Sequence, residues 1–186
     1  MNEQDLIQQL RNKDEQAFKW LVDNFQDRVY NTVIGIVQNE QDAEDVSQEV
    51  FIQIYRSIHS FKGESQLSTW IYRIATTRSF DLLRSRKSKK RFAFIQSLFG
   101  KDDEIIHDPP DFYHPGIAME KKEDAKVLAK AITRLPENQR IAFTLNKLED
   151  LSYKEVSDIM KTSVSAVESL LHRAKMNLRK ELEREL

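Results

Sequence analysis

The stretch from Ser68 to Arg91, STWIYRIATTRSFDLLRSRKSKKR, decides how the rest of the chain is interpreted. Its apolar residues recur at helical spacing, so one face of a helix can be buried: Ile71, Ile74, Ala75, Leu82 and Leu83. Trp70, Tyr72 and Phe80 add aromatic rings, and basic residues crowd the segment from Arg84 onward. Phosphates attract such cations and bases stack on such rings, which favours a nucleic-acid ligand. A core helix with a solvated basic end fits the same residues.

Composition limits the classes of protein that this chain can belong to. The 186 residues suffice for one domain or two small ones, and only 4 Gly and 4 Pro argue against a turn-rich β fold. With no Cys, disulfides and thiolate metal sites are excluded. A net charge of −1 means that any DNA contact must come from local basic clusters. We therefore predict an all-α protein.

The sequence also indicates where the chain resides. No apolar run approaches the roughly 20 residues that a membrane-spanning helix needs, so we expect no membrane insertion. The first residues, MNEQD, are polar and acidic, unlike a signal peptide. The expected location is the cytoplasm.

Two long amphipathic helices are predicted before the decisive stretch. Asp14 is a candidate N-cap for a helix that reaches about Asn39, and Asn39 begins the next segment. The second helix carries a more polar side with Asp42, Asp45, Gln48 and Glu49. Asp45 and Glu49 lie one turn apart and can be imagined as ligands of a divalent ion. No His stands at the spacing of a di-iron bundle, so we predict capping and solvation, with no metal and no other cofactor.

A loop and a linker interrupt the helical pattern. Gly63 and its polar neighbours predict a loop before the decisive helix, which Ser65 or Ser68 is placed to cap. From Phe92 to Met119 the periodicity fails, and prolines in the second half of that segment forbid continuous helix. We predict two helical domains, 1–91 and 120–186, joined by a flexible linker, 92–119.

The C-terminal part carries a helix-turn-helix pattern. Ser152 and Glu155 form a capping-box signature, Lys161 and Thr162 a short turn, and Ser163 a candidate cap for the last helix. Two helices joined by a short turn, with basic groups on the second, are typical of a module that reads the major groove. An αα-hairpin of an ordinary bundle gives a similar pattern. The chain shows no Gly-rich phosphate loop, Ser/His/Asp set or zinc-ligand spacing, so we expect no enzyme activity.

Several separated motifs resemble one family. DAEDVSQEVF at 42–51, FKGES at 61–65 and TWIYRIA at 69–75 are similar to the N-terminal domain of sigma-70 factors of the extracytoplasmic function (ECF) group. LPENQR at 135–140, LSYKEV at 151–156, and the segments 163–167 and 171–174 resemble the C-terminal domain of those factors. The motifs occur in the family's order and cover nearly the whole chain except the linker.

The resemblance implies a subunit that directs bacterial RNA polymerase to promoters, binding the β′ clamp helices and the β flap of the core enzyme. It would recognise the −35 element as duplex and the non-template single strand of the −10 element, promote opening, and be held inactive by an anti-sigma factor. The alternative is a stand-alone helix-turn-helix regulator, and a carboxylate metalloenzyme is a third reading.

The resemblance also assigns residues to each contact. The polymerase-binding residues implied are Asp42, Asp45, Gln48 and Glu49. The implied −10 contacts are Lys62, Gly63, Glu64, Ser65, Gln66, Leu67, Arg73, Thr77, Arg84, Arg86 and Lys87. The implied −35 contacts are Thr162, Ser163, Ser165, Ala166, Glu168, Ser169, His172, Arg173 and Lys175. Thr77 stands where the family often has Asn, and Lys161 stands where its turn usually has Gly. Many members carry Lys and Arg where this chain has Glu168 and Leu170, so the −35 sequence preference does not transfer.

Overall fold

The computed structural model describes the backbone of residues 2–99 and 122–185, and the side chains of residues 2–89 and 127–184. Throughout these ranges the secondary structure is helical, with no β-strand. The N-terminal half contains α1 (Glu3–Arg11), α2 (Glu15–Val37), α3 (Glu40–Ser57), a 3₁₀ turn (Ile58–Ser60) and α4 (Leu67–Phe99). The C-terminal half contains α5 (Lys122–Thr133), α6 (Glu137–Phe143), a π-helical turn (Thr144–Leu148), α7 (Tyr153–Met160) and α8 (Val164–Glu185). The all-α prediction is confirmed.

Side-chain caps determine where α2 and α3 begin in the N-terminal half. The Asp14 side chain accepts a hydrogen bond of 2.8 Å from the Ala17 N–H, and Asn39 accepts one of 3.0 Å from the Asp42 N–H. Both caps satisfy N–H groups that lack a partner within the helix. The predicted starts of α2 and α3 are therefore confirmed.

The decisive helix begins differently from the sequence prediction. The helix α4 starts at Leu67, so neither Ser65 nor Ser68 occupies the cap position. The Leu67 N–H instead donates a hydrogen bond of 3.1 Å to a carboxylate oxygen of Glu3. A carboxylate is a favourable partner at the positive end of a helix. The capping prediction was wrong because the partner comes from α1, distant in sequence.

The same helix also continues past its predicted end. The helix α4 runs on to Phe99, through the first part of the predicted linker. The added residues, FAFIQSLF at 92–99, contain no Gly or Pro, so nothing in them breaks a helix. The predicted end of the helix at Arg91 was therefore wrong, because the loss of apolar periodicity at Phe92 does not coincide with the end of the helical backbone. Residues 100–119 of the predicted linker lie outside the described residues.

The first apolar core joins α1, α2, α3 and α4. Its buried members include Leu21, Val33, Val50, Ile54 and Ile71, each no more than 1% exposed. These residues follow the helical spacing seen in the sequence, and burying them removes apolar surface from water. Trp70 is partly buried against this core, with its ring 5.2 Å from that of Phe61. The core holds α3 and α4 side by side.

The two halves pack against each other along a surface that we call the seam. Here α2 contacts α6 and the π-helical turn, while α4 contacts α7. Ile36 and Tyr72, from the N-terminal half, are buried in the same apolar cluster as Ile141 and Leu145. Thr144 donates a hydrogen bond of 3.3 Å to the carbonyl oxygen of Gly35. The structure thus captures the halves in a closed arrangement.

Candidate nucleic-acid and polymerase interfaces

The loop before α4 projects from the N-terminal core. Lys62, Gly63, Glu64 and Gln66 are exposed, and Ser65 is partly exposed. Gly63 has φ +75° and nothing within 4 Å of the position of a Cβ, so its backbone uses the conformational freedom of glycine in an open place.

Leu67 behaves differently from the rest of the predicted loop. It is 2% exposed and belongs to the N-terminal core. The implied role of Leu67 as a −10 contact is therefore corrected, because its side chain anchors the start of α4 and does not face solvent. The exposed part of the loop ends at Gln66.

Two residues on the middle of α4 differ in their accessibility. Thr77 is exposed. The Arg73 guanidinium donates two hydrogen bonds, of 3.0 and 2.7 Å, to the main-chain carbonyl oxygen of Asp158 in α7. In this closed arrangement the Arg73 guanidinium is therefore hydrogen-bonded to the C-terminal half.

The later part of α4 presents cations to solvent. Arg84, Arg86 and Lys87 are all exposed. The Arg84 guanidinium lies 5.6 Å from the centre of the Phe80 ring, an arrangement that a cation–π attraction favours. Arg86 forms an ion pair of 2.5 Å with Asp42 of α3. Arg86, an implied DNA contact, and Asp42, an implied polymerase contact, are therefore paired with each other.

The outer face of α3 is both acidic and apolar. Asp45, Gln48 and Glu49 are exposed, whereas Asp42 is partly buried by its pairing with Arg86. Ile52 and Tyr55 continue the same side of the helix and are 49% and 41% exposed.

Sequence reasoning left Ile52 and Tyr55 out of the polymerase-binding set. The sequence pattern that could have identified them is an apolar stripe on α3 that is wider than packing against one neighbouring helix requires. Exposed apolar side chains beside carboxylates are typical of a protein–protein contact. Within the described side chains, no group of three or more His, Asp and Glu is arranged to hold a metal ion.

The helix-turn-helix is formed by α7 and α8. The capping box predicted at Ser152 and Glu155 is present, with hydrogen bonds in both directions. These bonds lower the pKa of the Glu155 carboxyl. Lys161 ends α7 in the left-handed conformation, with φ 51° and ψ 48°, so the turn is made without a glycine. The Ser163 hydroxyl caps α8 by accepting a hydrogen bond of 3.1 Å from the Ala166 N–H.

The first turns of α8 point polar groups away from the protein. Ala166 is partly buried, and the remaining implied −35 residues are exposed: Thr162, Ser163, Ser165, Glu168, Ser169, His172, Arg173 and Lys175. On the opposite side, Val167 and Leu171 are buried in the cluster that contains Ile141 of α6 and Val156 of α7, and Ala174 is buried with Ala131 of α5. The seam leaves this polar face uncovered, so it is available to a duplex in the closed arrangement.

A cleft of about 610 Å³ lies where the two halves meet. Trp70, Arg73 and Thr77 line it from α4, and Met160 and Lys161 line it from the C-terminal half. Sequence reasoning did not identify this cleft or the seam behind it. No local pattern marks such a surface, because its residues are brought together only by docking of the halves.

Of the helices that the structure describes, none combines the length and apolar character required to cross a bilayer.

Both halves of the chain match models of known protein families. Residues 21–89 match the model of Sigma-70 region 2, and residues 125–178 match that of Sigma-70, region 4. The RNA polymerase sigma-H factor of Pseudomonas aeruginosa is 32% identical over 181 residues, covering 97% of this chain and 94% of that protein. The ECF RNA polymerase sigma factor SigW of Bacillus subtilis is 32% identical over 178 residues, covering 95% and 94%.

A solved structure has the same fold. The sigma factor RpoE of Bartonella quintana, determined in complex with the anti-sigma factor NepR, superposes with a TM-score of 0.67 at 20% identity. The match covers 89% of this chain and 96% of that one. Three observations agree: the two region matches, the relatives that share nearly the full length, and the two helical halves. The chain belongs to the sigma-70 family and is an RNA polymerase sigma factor of the ECF group.

Proposed function

We propose that the N-terminal half carries two neighbouring interfaces. The outer face of α3, with Asp45, Gln48, Glu49 and Asp42, binds the β′ clamp helices of core polymerase. The exposed loop from Lys62 to Gln66, together with Arg73, Thr77 and the basic end of α4, binds the non-template strand of the −10 element. Apolar and acidic groups on α3 suit a protein partner, and the exposed cations on α4 suit phosphates.

The C-terminal half reads the −35 element as duplex. The start of α8 enters the major groove, where Ser165, Glu168 and Ser169 approach base edges. Arg173 and Lys175 lie farther along the helix and contact phosphates. Glu168 accepts hydrogen bonds and repels phosphate, so we expect it to favour a cytosine amino group in the recognised sequence. The β flap binds elsewhere on this half.

Promoter opening follows from preferential binding and needs no covalent step. Extruding a base costs a few kcal/mol of stacking, and contacts made only with the unpaired strand offset that cost. We therefore assign no catalytic residue, cofactor or metal to the chain. The observation that carries this proposal is the separation of an exposed single-strand surface on α4 from an exposed duplex surface on α8.

Function requires the closed arrangement to open. The two promoter elements lie about two helical turns apart, or roughly 70 Å of B-DNA. Halves that share a buried seam do not reach both elements at once. We propose that residues 1–91 and 120–186 act as separate domains on the promoter, with 92–119 between them, and that an anti-sigma factor binds the chain when it is inactive. The proposed site of action is the cytoplasm, where polymerase works.

The deciding experiment is run-off transcription with purified chain and core polymerase. We expect specific transcripts from promoters selected out of a random library, and no transcripts from core enzyme alone. A stand-alone helix-turn-helix regulator binds duplex but starts no transcripts, so that result would refute the proposal. Metal analysis that finds bound iron or manganese would favour a carboxylate metalloenzyme.

A further inference from the structure

A carboxyl group in the seam, that of Glu149, has one oxygen without a hydrogen-bonding partner in the part of the chain that the structure describes. Glu149 follows the π-helical turn, and its main-chain N–H donates a hydrogen bond of 3.1 Å to the Thr144 carbonyl oxygen. The turn packs on α2, so the Glu149 side chain lies where the halves meet. Its Oε1 atom is buried and, among the described residues, accepts no hydrogen bond. A buried oxygen of this kind is easier to leave unpaired when the carboxyl is neutral than when it is charged.

The groups around Glu149 come from both halves. Arg28 of α2 attracts its negative charge and the Tyr72 hydroxyl of α4 forms a hydrogen bond with it, and both contacts lower its pKa, whereas neighbouring Asp150 repels the charge. Burial outweighs the attraction of Arg28 and raises the pKa of Glu149 to about 7. The pKa of Tyr72 is raised to about 12, chiefly by burial and then by Glu149, with Glu155 of α7 adding to the rise. Tyr72 is therefore neutral throughout the neutral range.

We propose that closure of the two halves is coupled to protonation of Glu149, so that a rise of pH through neutrality releases the C-terminal half from α4. Opening returns the carboxyl to water, where it loses its proton readily. The closed state binds the proton more tightly than the open state, so opening releases it. The proton-dependent stabilisation of the closed state is complete below the ordinary carboxyl pKa of 4.5 and is lost as pH rises to about 7.

Through this coupling, pH controls the opening of the seam without any partner. In the closed state Arg73 is bound to the Asp158 carbonyl, and in the open state it is free. Opening and closure of the seam are properties of the chain alone. The coupling holds or fails whether or not the exposed surfaces bind polymerase and promoter DNA.

Two cysteine reporters measure the opening, because the chain has no Cys of its own. Ile36→Cys on α2 and Thr144→Cys on the π-helical turn place a thiol on either side of the seam, at positions that are buried when it is closed. The rate of thiol labelling, divided by that of a small model thiol at each pH, gives the opening constant even when the open state is rare. We expect this constant to rise about tenfold from pH 6 to pH 8 at both reporters.

Matched variants identify the responsible group. Glu149→Gln keeps the shape but cannot ionise, and we expect its opening constant to be flat across the same range. Asp150→Asn removes a neighbouring charge and introduces Asn, which tolerates the left-handed φ of 53° at this position. We expect the opening constant of this variant still to rise with pH. A rise that persists in Glu149→Gln, or no rise in the parent, would overturn the inference. A rise with pH at one reporter and not at the other would show local unfolding in place of separation of the halves, and would also overturn the inference.

Discussion

The Arg73 guanidinium and the Asp158 main-chain carbonyl join the two halves of the protein by two hydrogen bonds, of 3.0 and 2.7 Å. Arg73 lies on the helix that we propose binds the −10 strand, and Asp158 lies on the helix before the −35 reader. The contact therefore links the two DNA-binding halves directly. It also withdraws one cation from the single-strand surface while the seam is closed.

Replacing Arg73 by Ala should open the seam. Hydrogen bonds from a charged donor contribute roughly 1.5–3 kcal/mol, so we expect the opening constant to rise at least about tenfold. Thiol labelling of the Thr144→Cys reporter in the absence of DNA measures it. Lys87→Ala is the control, since Lys87 is exposed on the same helix. Equal opening constants in the two variants would contradict the role of Arg73 as a link between the halves.

Deleting Lys62 to Glu64 should separate promoter binding from promoter opening. The deletion stays within the exposed loop and spares Leu67, which the N-terminal core requires. We expect −35 duplex binding to be unchanged and opening at −10 to be lost, because the unpaired strand loses the loop that we propose binds it. Permanganate footprinting of the complex with core polymerase detects the opening. Normal reactivity of −10 thymines in the deletion variant would refute base capture by this loop.

Arg173→Ala should weaken duplex binding by a similar factor on all sequences. A lost phosphate contact lowers the slope of log K against log salt by about one unit. Titrations of promoter duplex at several salt concentrations give that slope. Arg179→Ala is the matched control, because Arg179 lies farther along α8 and pairs with Glu183 at 3.0 Å. A slope that changes in both variants alike would point to a general charge effect.

Lys161→Gly should stabilise the protein. Lys161 occupies the left-handed region, where a side chain costs roughly 1 kcal/mol that glycine avoids. We expect the free energy of unfolding to rise by about 0.5–1 kcal/mol, measured by urea denaturation. Lys154→Gly, within α7, should lower it by about the same amount. A loss of stability in Lys161→Gly would mean that the lysine makes a contact in the cleft that outweighs its backbone strain.

The predictions from sequence succeeded where interactions are local. The caps at Asp14, Asn39, Ser152 and Ser163 bond to N–H groups three residues ahead, so short sequence patterns reveal them. The implied −35 residues came from the family resemblance and not from spacing, and all of them except Ala166 are exposed. The start of α4 was missed because its partner, Glu3, is 64 positions away.

The sequence by itself determined the all-α class, the caps of α2, α3, α7 and α8, the helix-turn-helix and the family, because each depends on spacing or on motifs within a few dozen residues. Only the tertiary structure decided that Leu67 is buried, that Asp42 and Arg86 are partners, and that Arg73 and Glu149 lie in a seam between the halves. Arg73 and Asp158 are 85 positions apart, and no helical period relates them. Their contact depends on how two preformed bodies dock, and that is settled by the shape and charge of whole surfaces.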